Sequence, residues 1–288
     1  MKIEDKIEFK VENHKSRITF ETTGGGSWKV WDRFISVDKE KMYHIGNVCG
    51  TCEFFFIKQS KSLEINFNEK HLIESLNDGN LELTKSTVSE LSKIIPNGNY
   101  LVLNSTIKPE IVTSESDNNY FKKEQREAWR DDFDEESLKP VETEYNNYYR
   151  EPIEDFGKMK YDHKEAFFNF FVPLYKTNEL NESRVEFYKE KILKGEKPIV
   201  VSIGVLDVKT SEEYPLINGE EVNPDFGTHW CLANYVIDGH HKLKAASELN
   251  QEIGLITFVS RDESWKLIDD MVSKLTGQTK KKWQFWKN

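Results

Sequence analysis

Cysteine is scarce in this 288-residue chain, with only Cys49, Cys52 and Cys231 present. Three is too few for a disulfide scaffold at this length, and the odd count fits a reducing, intracellular setting. The N-terminal stretch MKIEDKIEFKVENHKS lacks an apolar core, so no signal peptide is visible. No apolar run approaches the roughly 20 residues that a membrane-spanning helix requires. The expected location is therefore cytoplasmic, with no membrane span. Internal repeats are also lacking. Positive charge is in deficit: 40 Lys and Arg stand against 50 Asp and Glu, a net charge of −10. Phosphate contacts need Lys and Arg, so bulk binding of nucleic acid is not expected.

What the chain does have is apolar and aromatic content, 37% and 12%, ample for a core and against global disorder. The acidity is concentrated. Between residues 110 and 165 there are 17 acidic and 9 basic residues. This middle is rich in tyrosine and poor in branched aliphatics, and reads as a solvated, partly helical connector or as an acidic surface for docking a protein partner. NNYFKKEQREAWRDDF within it has the composition of one amphipathic helix. On either side the patterning is stronger. KIEFKVE, SRITFETT, WKVWDRFISV, CEFFFIK and SLEINFN read as strands, residues 87–95 as a helix stopped by Pro96-Asn97-Gly98, and YLVLNSTI as a further strand. From Phe167 onward the order is strand (FFNFFVPLY), helix (182–193, stopped at Gly195), strand (PIVVSIGVLDV), an insertion over 209–227, strand (HWCLANYVID), helix (240–249), strand (GLITFVS) and a last helix ending at Leu275. The expected class is mixed α/β (α+β): a β-rich N-terminal domain over 1–113, an acidic connector over 114–165, and a mixed α/β domain over 166–288.

The stretch Asp238-Gly239-His240-His241-Lys242 carries the chemistry. It joins a strand to a helix. Asp238 has the right side chain to cap the helix, and Gly239 permits a tight turn and close approach of a ligand. A helix N-terminus presents free N–H groups and the positive end of the dipole. Imidazoles and an ammonium there, where acidic residues are usual, make sense if a phosphate supplies the negative charge. The competing reading is a capped helix whose histidines contact a neighbouring loop.

VIDGHHKLKAA resembles the D-G-H-H-R-x-x-A box of the ParB/sulfiredoxin-like superfamily. VPLYKTNEL, the helix ending at Gly195 followed by KPIVVSI, and GLITFVS resemble the elements around that box, so the resemblance covers about residues 170–261. It implies a nucleotide triphosphate as ligand, with Mg²⁺, and phosphate contacts from Gly239, His240, His241 and Lys242. Lys242 stands where the pattern has Arg and forgoes the bidentate fork. The sulfiredoxin cysteine is absent from the box, against sulfinic-acid repair. Only 27 residues follow Arg261, too few for the DNA-binding domain of partition proteins. The implied function is binding, with hydrolysis or transfer, of a nucleotide phosphate, and Asp238 and His240 are the candidate catalytic groups. Glu182 and Asp207 are further carboxylates to consider, and His229 a candidate for the same pocket. Two other readings compete: an interaction protein that kept the fold without turnover, and a metal-dependent nuclease using Asp238, His240 and His241.

YHIGNVCGTCEFFF places Cys49 and Cys52 at C-x-x-C spacing, five residues after His44. This is half of a structural zinc site, with His44, His14 or His71 to complete it. A redox pair and two reduced cysteines packed beside the phenylalanines are the alternatives. Cys231, within a strand run, reads as a buried apolar residue. The tail TKKKWQFWKN suits a nucleic-acid or membrane-surface contact, or docking on its own domain.

Overall fold

The computed structural model describes residues 1–12, 15–25, 28–47, 49–59, 70–129, 147–158, 164–174, 179–211, 216–217, 220–221 and 225–277. The strand expected at SLEINFN, the tail, His14 and most of the charged middle, residues 130–146, lie outside these.

Four long strands form the centre: β10 (Lys164–Pro173), β11 (Ile199–Thr210), β14 (Thr228–Asp238) and β15 (Ile253–Ser260). Nearly every residue in them is buried, which explains their continuous apolar runs: both faces are covered, so alternation has no solvent side to record. Helices α4 (Glu182–Leu193) and α5 (His240–Leu249) connect them, and α6 (Ile268–Leu275) follows β15. The strand, helix, strand, strand, helix, strand order is as expected. Their order in the sheet is β15-β11-β14-β10, with β11 antiparallel to β14 and the two outer pairings parallel.

This sheet does not stop at the boundaries expected near residues 113 and 165. On one side β15 pairs antiparallel with β6 (Gly98–Ile107), and β6 with β1 (Lys2–Val11). On the other, β10 pairs with β8 (Tyr148–Arg150) and β9 (Glu154–Lys158), and β8 with β7 (Glu110–Val112). The nine strands thus draw on the N-terminal region, the acidic middle and the C-terminal region alike. The described parts of the middle are structural: Tyr120, Phe121, Tyr148 and Tyr149 are buried, and Arg150 pairs with Glu124 at 3.0 Å below the surface. The single long helix expected there is a short one, α3 (Glu124–Trp129), within the described residues. The sheet also curls. β6 and β7 lie six strand positions apart, about 29 Å if flat, yet the two residues between Ile107 and Glu110 span at most about 11 Å. The Lys108 N–H accordingly donates to Glu151, just past β8, at 2.8 Å.

A second, antiparallel sheet runs β2 (Ile18–Gly25), β3 (Trp28–Val37), β4 (Glu40–Asn47) and β5 (Ile57–Lys58). With α1 (Lys70–Asp78) and α2 (Lys85–Leu91) it covers one face of the large sheet, and Ile35, Met42, Leu72 and Val88 share a core with Val102, Phe170, Val201 and Tyr235. The other face holds two clusters, one closed by α4 and α5 through Val185, Tyr188, Leu243 and Ala246, the other by α6 through Ile268, Met271 and Val272. Overall the chain is mixed α/β, with a large mixed sheet, a separate antiparallel one, and a two-stranded ribbon of β12 (Leu216–Ile217) and β13 (Glu220–Glu221). Among the described residues, no helix is long and apolar enough to cross a membrane.

Candidate functional site

The turn from β14 to α5 is made by Gly239, at φ +96°. A Cβ there would also lie 3.1 Å from the Val200 backbone of β11, so conformation and space both require glycine. Gly239, not Asp238, is the N-cap residue, and no side chain caps α5. Asp238 ends β14, and its carboxylate faces Lys242 at 3.2 Å, one helical turn on. The cap expected of Asp238 is lost because αL geometry at Gly239 turns the aspartate away from the first-turn N–H groups.

His240 is buried and points to the end of β10. Its Nε2 accepts the Leu174 N–H at 3.1 Å, and its other ring nitrogen donates to the Val236 carbonyl. Burial pushes its pKa down to about 3, partly offset by the Asp238 charge. His241 accepts the Asn181 N–H at 3.1 Å, and burial with the nearby Arg184 guanidinium lowers its pKa. Both histidines therefore grip one segment at its two ends, residues 174 and 181. An Nε2 that accepts an N–H carries no proton, so the imidazoles do not serve as cations in this geometry. Of the two readings of the double histidine, the loop contact is the one seen here.

Lys242 is buried, 2% exposed. Its ammonium donates to the Ile199 carbonyl at 2.9 Å and to Asp238, and lies 5.7 Å from the Tyr188 ring. It faces the chain rather than a solvent-filled cradle. The exposed cations at this corner are Arg184 on α4, which hydrogen-bonds the Tyr188 hydroxyl, and, less exposed, Lys244, which pairs with Glu182 at 2.5 Å. Tyr188 in turn donates to Asn77 of α1 at 2.9 Å. Asn181 caps α4 by accepting the Arg184 N–H, so Glu182 is not the cap.

The small sheet completes this corner. Tyr43 donates to the Pro173 carbonyl at 2.5 Å and Lys58 to the Leu174 carbonyl at 2.9 Å. The end of β10 is thus held from one side by β4 and β5 and from the other by His240. Sequence reasoning missed Arg184, Tyr43 and Lys58. Arg184 follows a capping asparagine by three residues, which was a usable signal; the other two had none.

The remaining candidates lie elsewhere. His229 sits at the opposite end of β14 from Asp238, nine residues and about 30 Å of strand away. Its Nδ1 accepts from Tyr120 at 2.8 Å, Nε2 faces the Phe226 carbonyl, and burial holds its pKa at about 3. Asp207 is buried in a pair with Arg33 of β3 at 2.7 Å. Cys231 is fully buried, as expected. Cys49 and Cys52 are joined by a disulfide. A sulfur bonded to sulfur is not a thiolate ligand, and His44 is engaged with Asp32 at 2.9 Å and stacked on Phe34. His71 faces Glu90 at 3.0 Å. The zinc expected of Cys49, Cys52 and His44 has no ligand set in this arrangement, and among the described residues no group of three or more His, Cys, Asp or Glu is placed to hold a metal ion.

No protein-family model matches the chain, and no curated protein or solved structure matches it either.

Proposed function

We propose that this chain is a nucleotide-binding protein of ParB/sulfiredoxin type, holding a phosphate at the N-terminus of α5 without turning it over. The observation that carries this reading is the α5 N-terminus itself: ten residues long, with no side-chain cap and no acidic residue in its first turn. The exposed guanidinium of Arg184 flanks it. Backbone N–H groups and the dipole favour an anion there, and Arg184 offers the bidentate contact that Lys242 cannot. The roles of the box residues change accordingly. Gly239 allows the approach, His240 and His241 hold Leu174 and Asn181, and Lys242 ties α5 to β11.

What the candidate catalytic groups touch supports binding without turnover. Phosphoryl transfer asks for a free base near the acceptor and carboxylates for Mg²⁺. Asp238 is paired with Lys242, and both ring nitrogens of His240 are engaged. The same engagement weighs against a nuclease built on Asp238, His240 and His241. An interaction protein without a nucleotide remains the second reading, favoured by Lys242 facing the Ile199 carbonyl rather than the site.

Thermal denaturation with ATP, CTP, GTP and ADP, each with and without Mg²⁺, tests the proposal. A ligand at a hundredfold excess over Kd stabilises the native state by about 2.7 kcal/mol. One nucleotide should raise the melting temperature, and Arg184→Ala should remove the shift while unfolding normally in its absence. No shift with any nucleotide sinks the proposal in favour of the interaction protein. Mg²⁺-dependent cleavage of plasmid DNA would favour the nuclease.

A further inference from the structure

The Cys49-Gly50-Thr51-Cys52 turn is built in a way that a merely cross-linked loop does not require. Each of its first three carbonyls is held from outside. Lys209, fully buried on β11, donates to the Cys49 carbonyl at 2.6 Å, and its ammonium also reaches the Asn47 carbonyl at 3.3 Å. The Thr210 N–H donates to the Gly50 carbonyl at 2.9 Å, and the Trp129 indole to the Thr51 carbonyl at 2.7 Å. Gly50 lies so close under the Trp265 ring that a Cβ would come within 2.9 Å of it. The backbone of the turn is therefore positioned by four residues from three other parts of the chain, Lys209 and Thr210 of β11, Trp129 of α3 and Trp265, in addition to the S–S bond. Opening the bond would leave the two sulfurs next to each other.

The two sulfurs are not equivalent. Cys49 Sγ accepts the Cys52 N–H at 3.2 Å and lies 3.4 Å from the Thr51 hydroxyl, which must be the donor to a disulfide sulfur. The Lys209 ammonium adds positive charge on the Cys49 side of the turn. Among the described residues, Cys52 Sγ has no comparable donor. Hydrogen bonds and nearby positive charge favour a thiolate over a thiol. Both cysteines are partly exposed, whereas Cys231 is completely buried.

We propose that Cys49 and Cys52 form a reversible thiol–disulfide couple in which Cys49 is the sulfur that exchanges with an external disulfide. In the oxidising direction the Cys49 thiolate attacks one sulfur of a disulfide R–S–S–R. A Cys49–S–R bond forms and R–S⁻ leaves. The Cys52 thiolate then attacks Cys49 Sγ, forming the Cys49–Cys52 bond and expelling the second R–S⁻. Two electrons pass from the dithiol to the external disulfide, and the two protons lost by the cysteines go to the released thiolates. An external dithiol reverses both steps. The pre-held turn keeps the resolving Cys52 in place for the second attack.

The wild-type protein tests this directly. It is reduced with dithiothreitol, desalted and exposed to limiting iodoacetamide at pH 7, and the labelled cysteines are mapped by mass spectrometry. A tenfold gain in thiolate fraction is partly offset by lower nucleophilicity, leaving about a threefold gain in rate. Cys49 should thus be labelled at least about threefold faster than Cys52, and Cys231 should stay unlabelled. Glutathione disulfide should then close the Cys49–Cys52 bond in the reduced protein and release two glutathione thiols for each bond closed. In Cys52→Ser the same reagent should stop at a mixed disulfide on Cys49. Equal or faster labelling of Cys52, or failure of glutathione disulfide to close the bond in the folded wild type, overturns the proposal. If Cys52→Ser does not fold, the wild-type labelling ratio still decides.

Discussion

Lowering the pH should loosen the protein through His240, by an amount the structure sets. In the folded chain burial holds the His240 pKa at about 3, against an ordinary value of 6.5. A group whose folded pKa is depressed contributes stability that is fully present above the unfolded pKa and is lost as pH falls toward the folded one. The window is therefore pH 6.5 to 3. At pH 5 the unfolded chain has gained a proton that the folded chain refuses, over 1.5 pH units, which is worth about 2 kcal/mol. His229, also held at about 3 by burial, adds a similar loss. Against a typical total stability of about 5–15 kcal/mol the combined effect is large. The informative comparison is with His240→Gln, because a glutamine oxygen can accept the Leu174 N–H but does not titrate. Urea denaturation at pH 7, 6 and 5 should show the variant losing about 2 kcal/mol less than wild type between pH 7 and 5, whatever its stability at pH 7. Parallel pH profiles for the two proteins would refute the buried, neutral His240 and with it the histidine grip on residue 174.

Other perturbations separate structural from binding roles. Arg33→Ala should lower unfolding free energy by about 3–5 kcal/mol, because Asp207 is left charged and buried without its partner; a loss under about 1 kcal/mol in urea titrations would contradict that pairing. Gly239→Ala should cost about 1–3 kcal/mol, from positive φ and the approach to Val200, and an unchanged melting temperature would contradict the turn described. Lys242→Ala should destabilise the nucleotide-free protein by about 1–3 kcal/mol, since the Ile199 carbonyl and Asp238 lose their donor, whereas Arg184→Ala should leave it unchanged. A fragment beginning at Asp162 should show no cooperative thermal unfolding, because β15 would lose β6 and become an open edge; a sharp transition would restore a separable C-terminal domain.

The elements from residue 164 onward were legible because each obeys one local rule. Strands buried on both faces are continuous apolar runs, and α4 and α5 span the residues expected of them, 182–193 and 240–249. The Asp-Gly-His-His segment was identifiable as a strand-to-helix turn for the same reason: glycine and periodicity are local. Where the periodic signal was short or mixed, reading failed. EKMYHIGN is strand β4, yet His44 and Lys41 break its apolar alternation; α1 buries only Leu72 and Leu76. β7, β8 and β9 are three to five residues each and sit in sequence dominated by charge.

The sequence by itself determined the types of these elements, the glycine turn and the scarcity of cysteine. Only the tertiary structure decided what each polar atom meets. His240 accepts an N–H from 66 residues away, Lys242 donates to a carbonyl 43 residues away, and Arg33 donates to a carboxylate 174 residues away. Likewise the pairing of β1 with β6 and of β6 with β15 brings the first and last strands of the chain's described residues into one sheet. Periodicity records which face of an element is buried, because burial acts on each residue where it stands. The partner of a buried polar group is fixed by which distant element docks there, and no local pattern carries that information.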